Sequence, residues 1–346
     1  MARPTLVSLA RELGVSRQTV SNVINAPHLV KTETRERVQA AIEASGYRPN
    51  VAAQALRNRR SMTLAMRMHP TLEDGINGAI RDRFLHHLVV AARAQGYSLL
   101  LTTADSFDDE VDVLTEMHVR GTIDGCVLTD THAGDSRPSR LVANGVPVAA
   151  FGRPWGHDER HPWVDVEGWR GTHAATNHLL EAGHERIGFI GWPGNSDTGV
   201  DRRTGWERAM AEHGYGAETG RWQAERVDQI EQGMEAAEKL LDEGVEAFVC
   251  ASDSLALGAL EAVRRRGFEG LEAPVIGFDN TPVARAMGLS SLDQPVEQAA
   301  EVLCRQLVAR IAASQDATGS VEDEHVLLEP TLVVRELAEM YAPVED

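Results

Sequence analysis

From residue 61 onward the chain alternates short apolar runs with stretches of helical periodicity, and it does so twice. TLAMRM, SLLLTT, GCVLTD and PVAAFG read as strands within residues 61–160, with helical patterns over Ile80–Gln95 and Val111–Arg120 between them. After residue 162 the pattern restarts: helix Gly168–Ala182, strand RIGFIG, helices Arg203–His213 and Gln229–Glu243, strand AFVCAS, helix Ser254–Arg266 and strand PVIGFD. Strands separated by helices cannot pair as tight hairpins. They must lie parallel, with helices on both faces of the sheet. Two such lobes with a cleft between them place a ligand at the carboxyl ends of the strands.

The first 60 residues follow a different rule. Thr5 can cap a helix running to Leu13, with Leu6, Leu9, Ala10 and Leu13 on one face. Gly14 stops it and permits a left-handed turn. Ser16 can cap a second helix that turns Val20, Val23 and Ile24 inward and carries Arg17, Gln18, Ser21, Asn22 and Asn25 on or near its outer side. A third helix is expected over Thr32–Ser45, with Val38, Ala41 and Ile42 inward, Glu33 favouring its start and Gly46 ending it. Two short helices joined at a glycine form a helix-turn-helix unit. Beyond Pro49, Asn50 can cap a further helix over Val51–Arg57. That helix has about two turns, and isolated helices below about 12 residues are marginal in water. Arg57, Arg59 and Arg60 make DNA its natural partner.

Charge divides along the same boundary. Residues 1–60 hold ten Lys and Arg against four Asp and Glu, while the remaining 286 hold 24 against 48, so a net charge of −18 conceals a basic head on an acidic body. Cys126, Cys250 and Cys304 lie far apart, two of them in apolar runs, and read as buried thiols of a reducing compartment. The N-terminus lacks the apolar core of a signal peptide, and no apolar run approaches the roughly 18 residues of a membrane span. A cytoplasmic protein with no membrane partner is expected.

TLVSLARELGVSRQTVSNVIN followed by TRERVQAAIEASGYRPNVAAQAL resembles the DNA-binding headpiece and hinge of the LacI/GalR (lactose repressor) family. VDVEGWRGTHAATNHLLEAGHERIGFIG, CASDSLALGALEAVRRRG and PVIGFDN resemble later segments of that family, in the same order. The resemblance implies an α/β chain. An all-α helix-turn-helix headpiece (1–49) and a hinge helix with linker (50–60) precede a two-lobed, periplasmic-binding-protein-like body of parallel sheets flanked by helices (61–346). It also implies discontinuous lobes: about 61–161 with 292–325, and about 162–291 with 326–346. Arg17, Gln18 and Asn22 fall where family members read base edges, and their chemistry agrees, since Arg can fork onto guanine and Gln or Asn onto adenine. Ser16, Thr19, Ser21 and Asn25 suit phosphate contacts, although Asn25 is equally placed to end its helix. Asn50, Ala53, Gln54, Leu56 and Arg57 form the hinge, with Leu56 matching a leucine wedged into the minor groove.

For the body, the resemblance implies a small effector, usually a sugar, held by Arg153, Arg202, Ser252, Asp253 and Asp279. Asp253 could as well cap the helix that follows it, and Asp165 is read as structural. Five of the six tryptophans lie between 155 and 206. Trp155 and Trp192 follow strands and can offer stacking faces to a glycoside, whereas Trp169 and Trp206 fall on helices and read as core. Neither a nucleophile elbow nor a phosphate loop is present. His157 and His161 sit in HDERH, read as an exposed loop and not a metal site. The expectation is therefore a non-enzymatic regulator, a repressor without metal or cofactor, binding palindromic operator DNA as a homodimer under the control of a sugar or glycoside. A dimer is favoured over a tetramer because the tail after Val334 lacks sustained heptads. The rivals are a sugar-binding receptor that does not act on DNA, and an enzyme carrying a borrowed head.

Overall fold

The computed structural model describes residues 4–47, 60–68, 76, 78–156, 160–267, 274–314 and 324–335. The chain divides into two compact units, Met1–Ser61 and Met62–Asp346. In the first, α1 (Leu6–Leu13), α2 (Arg17–Asn25) and α3 (Thr32–Ser45) enclose a small core of Leu9, Ala10, Val20, Val23, Val38 and Tyr47. Thr5 and Ser8 cap α1 reciprocally, each side chain accepting from the other's backbone N–H. Gly14 ends α1 at φ 64°, and Ser16 Oγ then accepts from Thr19 N at 3.0 Å to start α2. Each cap stabilises its helix by about 1 kcal/mol, a large share for helices of eight and nine residues.

The second unit runs β1 (Thr63–Arg67), α4 (Gly78–Ala94), β2 (Ser98–Thr102), α5 (Phe107–Val119), β3 (Gly125–Leu128), α6 (Arg137–Ala143), β4 (Val148–Phe151) and β5 (Trp163–Val166). It continues with α7 (Gly168–Glu181), β6 (Ile187–Gly191), α8 (Asp197–Glu212), β7 (Gln223–Glu225), α9 (Ile230–Asp242), β8 (Ala247–Cys250), α10 (Asp253–Arg265) and β9 (Val275–Phe278). It closes with α11 (Pro282–Ala286), β10 (Ser290–Asp293), α12 (Val296–Ala313), β11 (His325–Leu328) and β12 (Thr331–Val333). The strands form two six-stranded sheets, ordered β11-β5-β4-β3-β1-β2 and β12-β10-β9-β8-β6-β7. All neighbours are parallel except β12, which runs antiparallel to β10. Each sheet has an apolar core against its helices, and the second is centred on the fully buried Trp206, whose Nε1 donates to Ile187 O at 3.1 Å.

Hydrogen bonding moves the lobe boundaries by a few residues. Trp163–Val166 pairs with both β4 and β11, so the first crossing lies beyond Val166 and not near 161. β10 pairs with β9 up to Leu292, and β11 pairs with β5 through Leu328, so the other crossings fall at about 294 and 329 and not near 291 and 325. Helix starts also shift where a cap overrides the apolar pattern. α5 begins at Phe107 because Ser106 caps it and Asp108, Asp109 and Glu110 sit in its first turn; α8 begins at Asp197 because Ser196 caps it. The three cysteines are free and buried, and burial pushes the Cys304 thiol up to about 11. His161 is buried, unlike the exposed loop expected of its neighbourhood. Trp169 is half-buried and not core, lying between the guanidiniums of Arg170 and Arg208 at 5.0 and 4.6 Å.

Two glycines set the spacing of α9 and α10. A Cβ at Gly258 would stand 2.1 Å from Ile230 O, and one at Gly233 would stand 2.4 Å from Leu255 O. The backbones touch, so neither position can accept a side chain without parting the helices. Gly258→Ala is expected to lower stability by about 1–3 kcal/mol. Urea unfolding should show this, while Gly220→Ala, with nothing within 4 Å of its Cβ, leaves the midpoint nearly unchanged.

Candidate functional site

Every parallel strand ends at a loop that carries a polar side chain, and several of these groups meet. On the first lobe, Arg153 follows β4. Its Nε donates to Asp165 Oδ2 at 2.5 Å and its Nη2 to Val166 O at 3.0 Å. Asp165 thus positions Arg153, as its structural assignment anticipated. Nη2 also lies 3.5 Å from Asp201 Oδ2 on α8 of the second lobe, so one guanidinium spans the two lobes. A second bridge runs from Ala133 N to Asp197 Oδ2 at 2.7 Å. A third has Arg83 Nη1, on α4, donating to Asp279 O and Asp293 Oδ1, both at 3.1 Å.

On the second lobe, Arg202 is 5% exposed. Its guanidinium carbon lies 3.6 Å from the Phe278 ring centre and 4.9 Å from that of Trp192, so aromatic faces replace water around the charge. Nη1 donates to Ala251 O and lies 3.9 Å from Asp279 Oδ1. Burial pulls the Arg202 pKa down, and Asp279 is the chief opposing influence. Arginine keeps its proton in proteins, so the buried charge is real and needs its acid. Burial pushes the Asp279 carboxyl up to about 7 against the pull of Arg202 and of the Gln294 amide, which donates to its Oδ1 at 2.6 Å.

The two tryptophans anticipated at strand ends sit beside these arginines. Arg153 covers Trp155 at 4.5 Å, so each lobe carries one Arg–Trp pair. Trp155 Nε1, Trp192 Nε1 and Arg202 Nε are buried and have no partner among the described residues. Three N–H donors at one cleft without acceptors mark a place that expects a ligand. Backbone strain concentrates there too: Trp155, Asp279 and Asn280 have φ of 52°, 113° and 49°. That strain, Asp201, Phe278 and Gln294 had no sequence signal of their own; they emerge only when the loops converge.

Ser252 and Asp253 play a different part from that expected. Ser252 is the N-cap of α10, accepting from Leu255 N and bonding Asp228 Oδ1. Asp253, 1% exposed, accepts from Ser291 Oγ at 2.6 Å and from Thr281 N at 2.7 Å, so both its oxygens tie α10 to the segment after β9. These two residues back the cleft and do not line it. A groove of about 430 Å³, lined by Arg83, His87, Asp293 and Gln294 among others, lies between α4 and α12 and includes neither Arg–Trp pair. Without convergent unsatisfied groups, it is the weaker candidate.

In the headpiece, Arg17 and Gln18 are exposed and Asn22 half-buried on the outer side of α2. Gln18 Nε2 donates to Asn22 Oδ1 at 2.7 Å, which holds the two side-chain amides in one orientation. Ser16 is engaged as the cap, with its Oγ also 2.8 Å from Thr19 Oγ1. Ser21 is half-buried on the same helix, and Asn25 closes its backbone. Asn50, Ala53, Gln54, Leu56 and Arg57 lie outside the described residues, as does His157.

Asp279 gives the site a pH signature. Its carboxyl has an ordinary value of 3.8 when unfolded and about 7 when folded, so the folded chain holds that proton more tightly. The resulting stabilisation is full below the unfolded value and is lost as pH rises through the folded one. Urea midpoints from pH 4 to 7.5 should therefore fall further for the wild type than for Asp279→Asn. Parallel curves would show that Asp279 titrates normally.

Residues 5–50 match the model of bacterial regulatory proteins of the lacI family, and residues 176–336 match a periplasmic binding protein-like domain. The HTH-type transcriptional regulator CelR of Thermobifida fusca is 33% identical over 356 residues, covering 96% of this chain and 98% of that protein. The HTH-type transcriptional regulator AscG of Escherichia coli strain K12 is 29% identical, covering 88% and 91%. A solved complex of the regulator CelR with cellobiose is 32% identical, covers 96% of this chain and 99% of that one, and superposes with a TM-score of 0.69. The lac repressor dimer bound to operator, at 22% identity, 97% and 99% coverage and a TM-score of 0.74, shares the fold. Among the described residues no helix is long and apolar enough to cross a membrane. With a capped helix-turn-helix unit, a two-lobed α/β body and a 33% identical regulator matched along nearly its whole length, the chain belongs to the lacI family of bacterial regulatory proteins and is a helix-turn-helix transcriptional regulator.

Proposed function

We propose that this regulator is a repressor that binds a palindromic operator as a homodimer in the cytoplasm and is controlled by a sugar or glycoside held between its lobes. The observation that carries the effector assignment is the pair of Arg–Trp units, Arg153 with Trp155 and Arg202 with Trp192, facing one cleft with three unpartnered N–H donors. Apolar sugar faces stack on indole rings, and sugar oxygens accept from such donors. The CelR–cellobiose complex, at 32% identity, supports the same ligand class. Trp155, Trp192, Arg202 and Asp279 make the contacts in this scheme. Arg153 aligns Trp155, while Ser252 and Asp253 hold the wall behind. The protein's work is regulation and not turnover.

On DNA, Arg17, Gln18 and Asn22 read bases, while Ser16, Thr19, Ser21 and Asn25 hold phosphates. Asn50, Ala53, Gln54, Leu56 and Arg57 serve as the hinge, with Leu56 as the minor-groove wedge. A 100-fold change in operator occupancy requires about 2.7 kcal/mol of differential effector affinity, which a few polar contacts can supply.

Calorimetric titration with a panel of disaccharides should give saturable binding that Trp192→Ala weakens by about 10-fold or more. The matching ligand should change operator affinity in a gel shift. A purine that binds where no sugar does would overturn the effector assignment. Leu56→Ala should weaken binding to operator while leaving random DNA, bound through charge, nearly unaffected. Equal loss on both would remove the wedge.

A further inference from the structure

The arginines at the strand ends do not offer themselves to an anion. Arg153 is engaged by Asp165, Asp201 and the Val166 carbonyl. Arg202 is held by Asp279 and the Ala251 carbonyl, with aromatic rings against its faces. On the first lobe, Arg137 is buried against Glu110 and Asp135, and Arg81 pairs with Asp130 at 3.6 Å. Arg202 lies in the field of four carboxylates, Asp279, Asp228, Asp201 and Asp165.

Helix N-termini, the other natural anion sites, are taken as well. At α7, Trp169 N donates to Asp201 Oδ2 at 3.0 Å. α8 has Ser196 as its cap and Asp197 in its first turn. α10 has Ser252 and Asp253, and the second oxygen of Asp253 also receives Thr281 N at the start of α11. α6 opens on Arg137 N donating to Asp135 Oδ1 at 2.9 Å. The starts of α7, α8 and α10, which flank the Arg202 side of the cleft, thus each hold a carboxylate of this chain.

From this we infer that the effector is an uncharged carbohydrate and that the cleft excludes its phosphorylated and carboxylated forms. The inference rests on the effector assignment for this cleft and narrows it. What the site leaves unsatisfied are N–H donors on three different side chains, Trp155, Trp192 and Arg202. Such donors suit hydroxyl and ring oxygens taken one at a time. An anion would have to displace a resident carboxylate or be buried beside it, and like charges in a poorly solvated site repel strongly.

The test uses matched pairs on the full chain: cellobiose against cellobionate, and glucose against glucose 6-phosphate and glucuronate, by calorimetry. An uncharged member should bind and its charged counterpart should bind about 100-fold more weakly or not at all. A charged member that binds as tightly as its neutral partner overturns the exclusion while leaving a sugar effector in place. An uncharged nucleobase that binds where no sugar does overturns the sugar assignment while supporting the exclusion of anions. A second measurement does not depend on knowing the effector. Inorganic phosphate at matched ionic strength should leave the thermal midpoint of the wild type where chloride leaves it. Asp201→Ala, which removes the acceptor of Trp169 N at the start of α7 and the carboxylate beside Arg153 Nη2, should acquire stabilisation by phosphate. Phosphate-specific stabilisation of the wild type would overturn the exclusion.

Discussion

Arg202 is a full positive charge kept almost out of water, and much of the second lobe is arranged to make that tolerable. Phe278 and Trp192 take its faces, the Ala251 carbonyl takes one donor, and Asp279 supplies the opposing charge. The compensating groups come from the ends of three strands, Trp192 after β6, Ala251 after β8, and Phe278 and Asp279 at the end of β9, so the charge is accommodated when these strands lie side by side in parallel. The close approach also constrains α7: a Cβ at Gly168 would meet the Arg202 side chain at 2.9 Å. A buried ion of this kind does little for net stability and much for specificity, because few other packings satisfy it.

In the proposed scheme, effector contacts and the bonds between the lobes share residues. Asp279 faces Arg202 with its carboxyl and gives its backbone carbonyl to Arg83 of the first lobe. Asp201 reaches Arg153 across the cleft from the residue adjacent to Arg202. A molecule that reorganises either acid also alters an inter-lobe bond. Affinity and conformation are thereby linked through contacts only a few ångströms long, without a long relay.

Much of this was legible in the sequence, for identifiable reasons. Alternating apolar runs reported the β1–β4, β6, β8 and β9 strands because buried parallel strands are continuously apolar. Thr5, Gly14 and Ser16 fixed the helix-turn-helix boundaries because caps act locally. β5, with Asp165 in its middle, and the short β7, β10, β11 and β12 gave weaker signals, since edge and crossing strands need not be apolar on both faces. Arg153, Arg202 and Asp279 were placed by the family resemblance, and Trp155 and Trp192 by their positions after strands, whose ends converge in such folds. The demotion of Ser252 and Asp253 from cleft to wall could not be read ahead. It depends on Ser291 and Thr281 N, 38 and 28 residues further along, arriving to occupy Asp253.

The crossings near residues 167, 294 and 329 have a consequence for how the chain is made. α12 packs against α4 and beneath β3, β4 and β5, and the edge strand β11 closes the first sheet, yet both are encoded after the whole αβ run of the second lobe. On the ribosome, where domains fold in order of emergence, the first lobe waits with one face of its sheet covered by α4 alone until the second has passed. The lobe nearest the DNA reader in sequence is therefore the last to be sealed. A nascent chain interrupted before residue 313 carries a partly covered apolar sheet face, a substrate for chaperones and not a regulator.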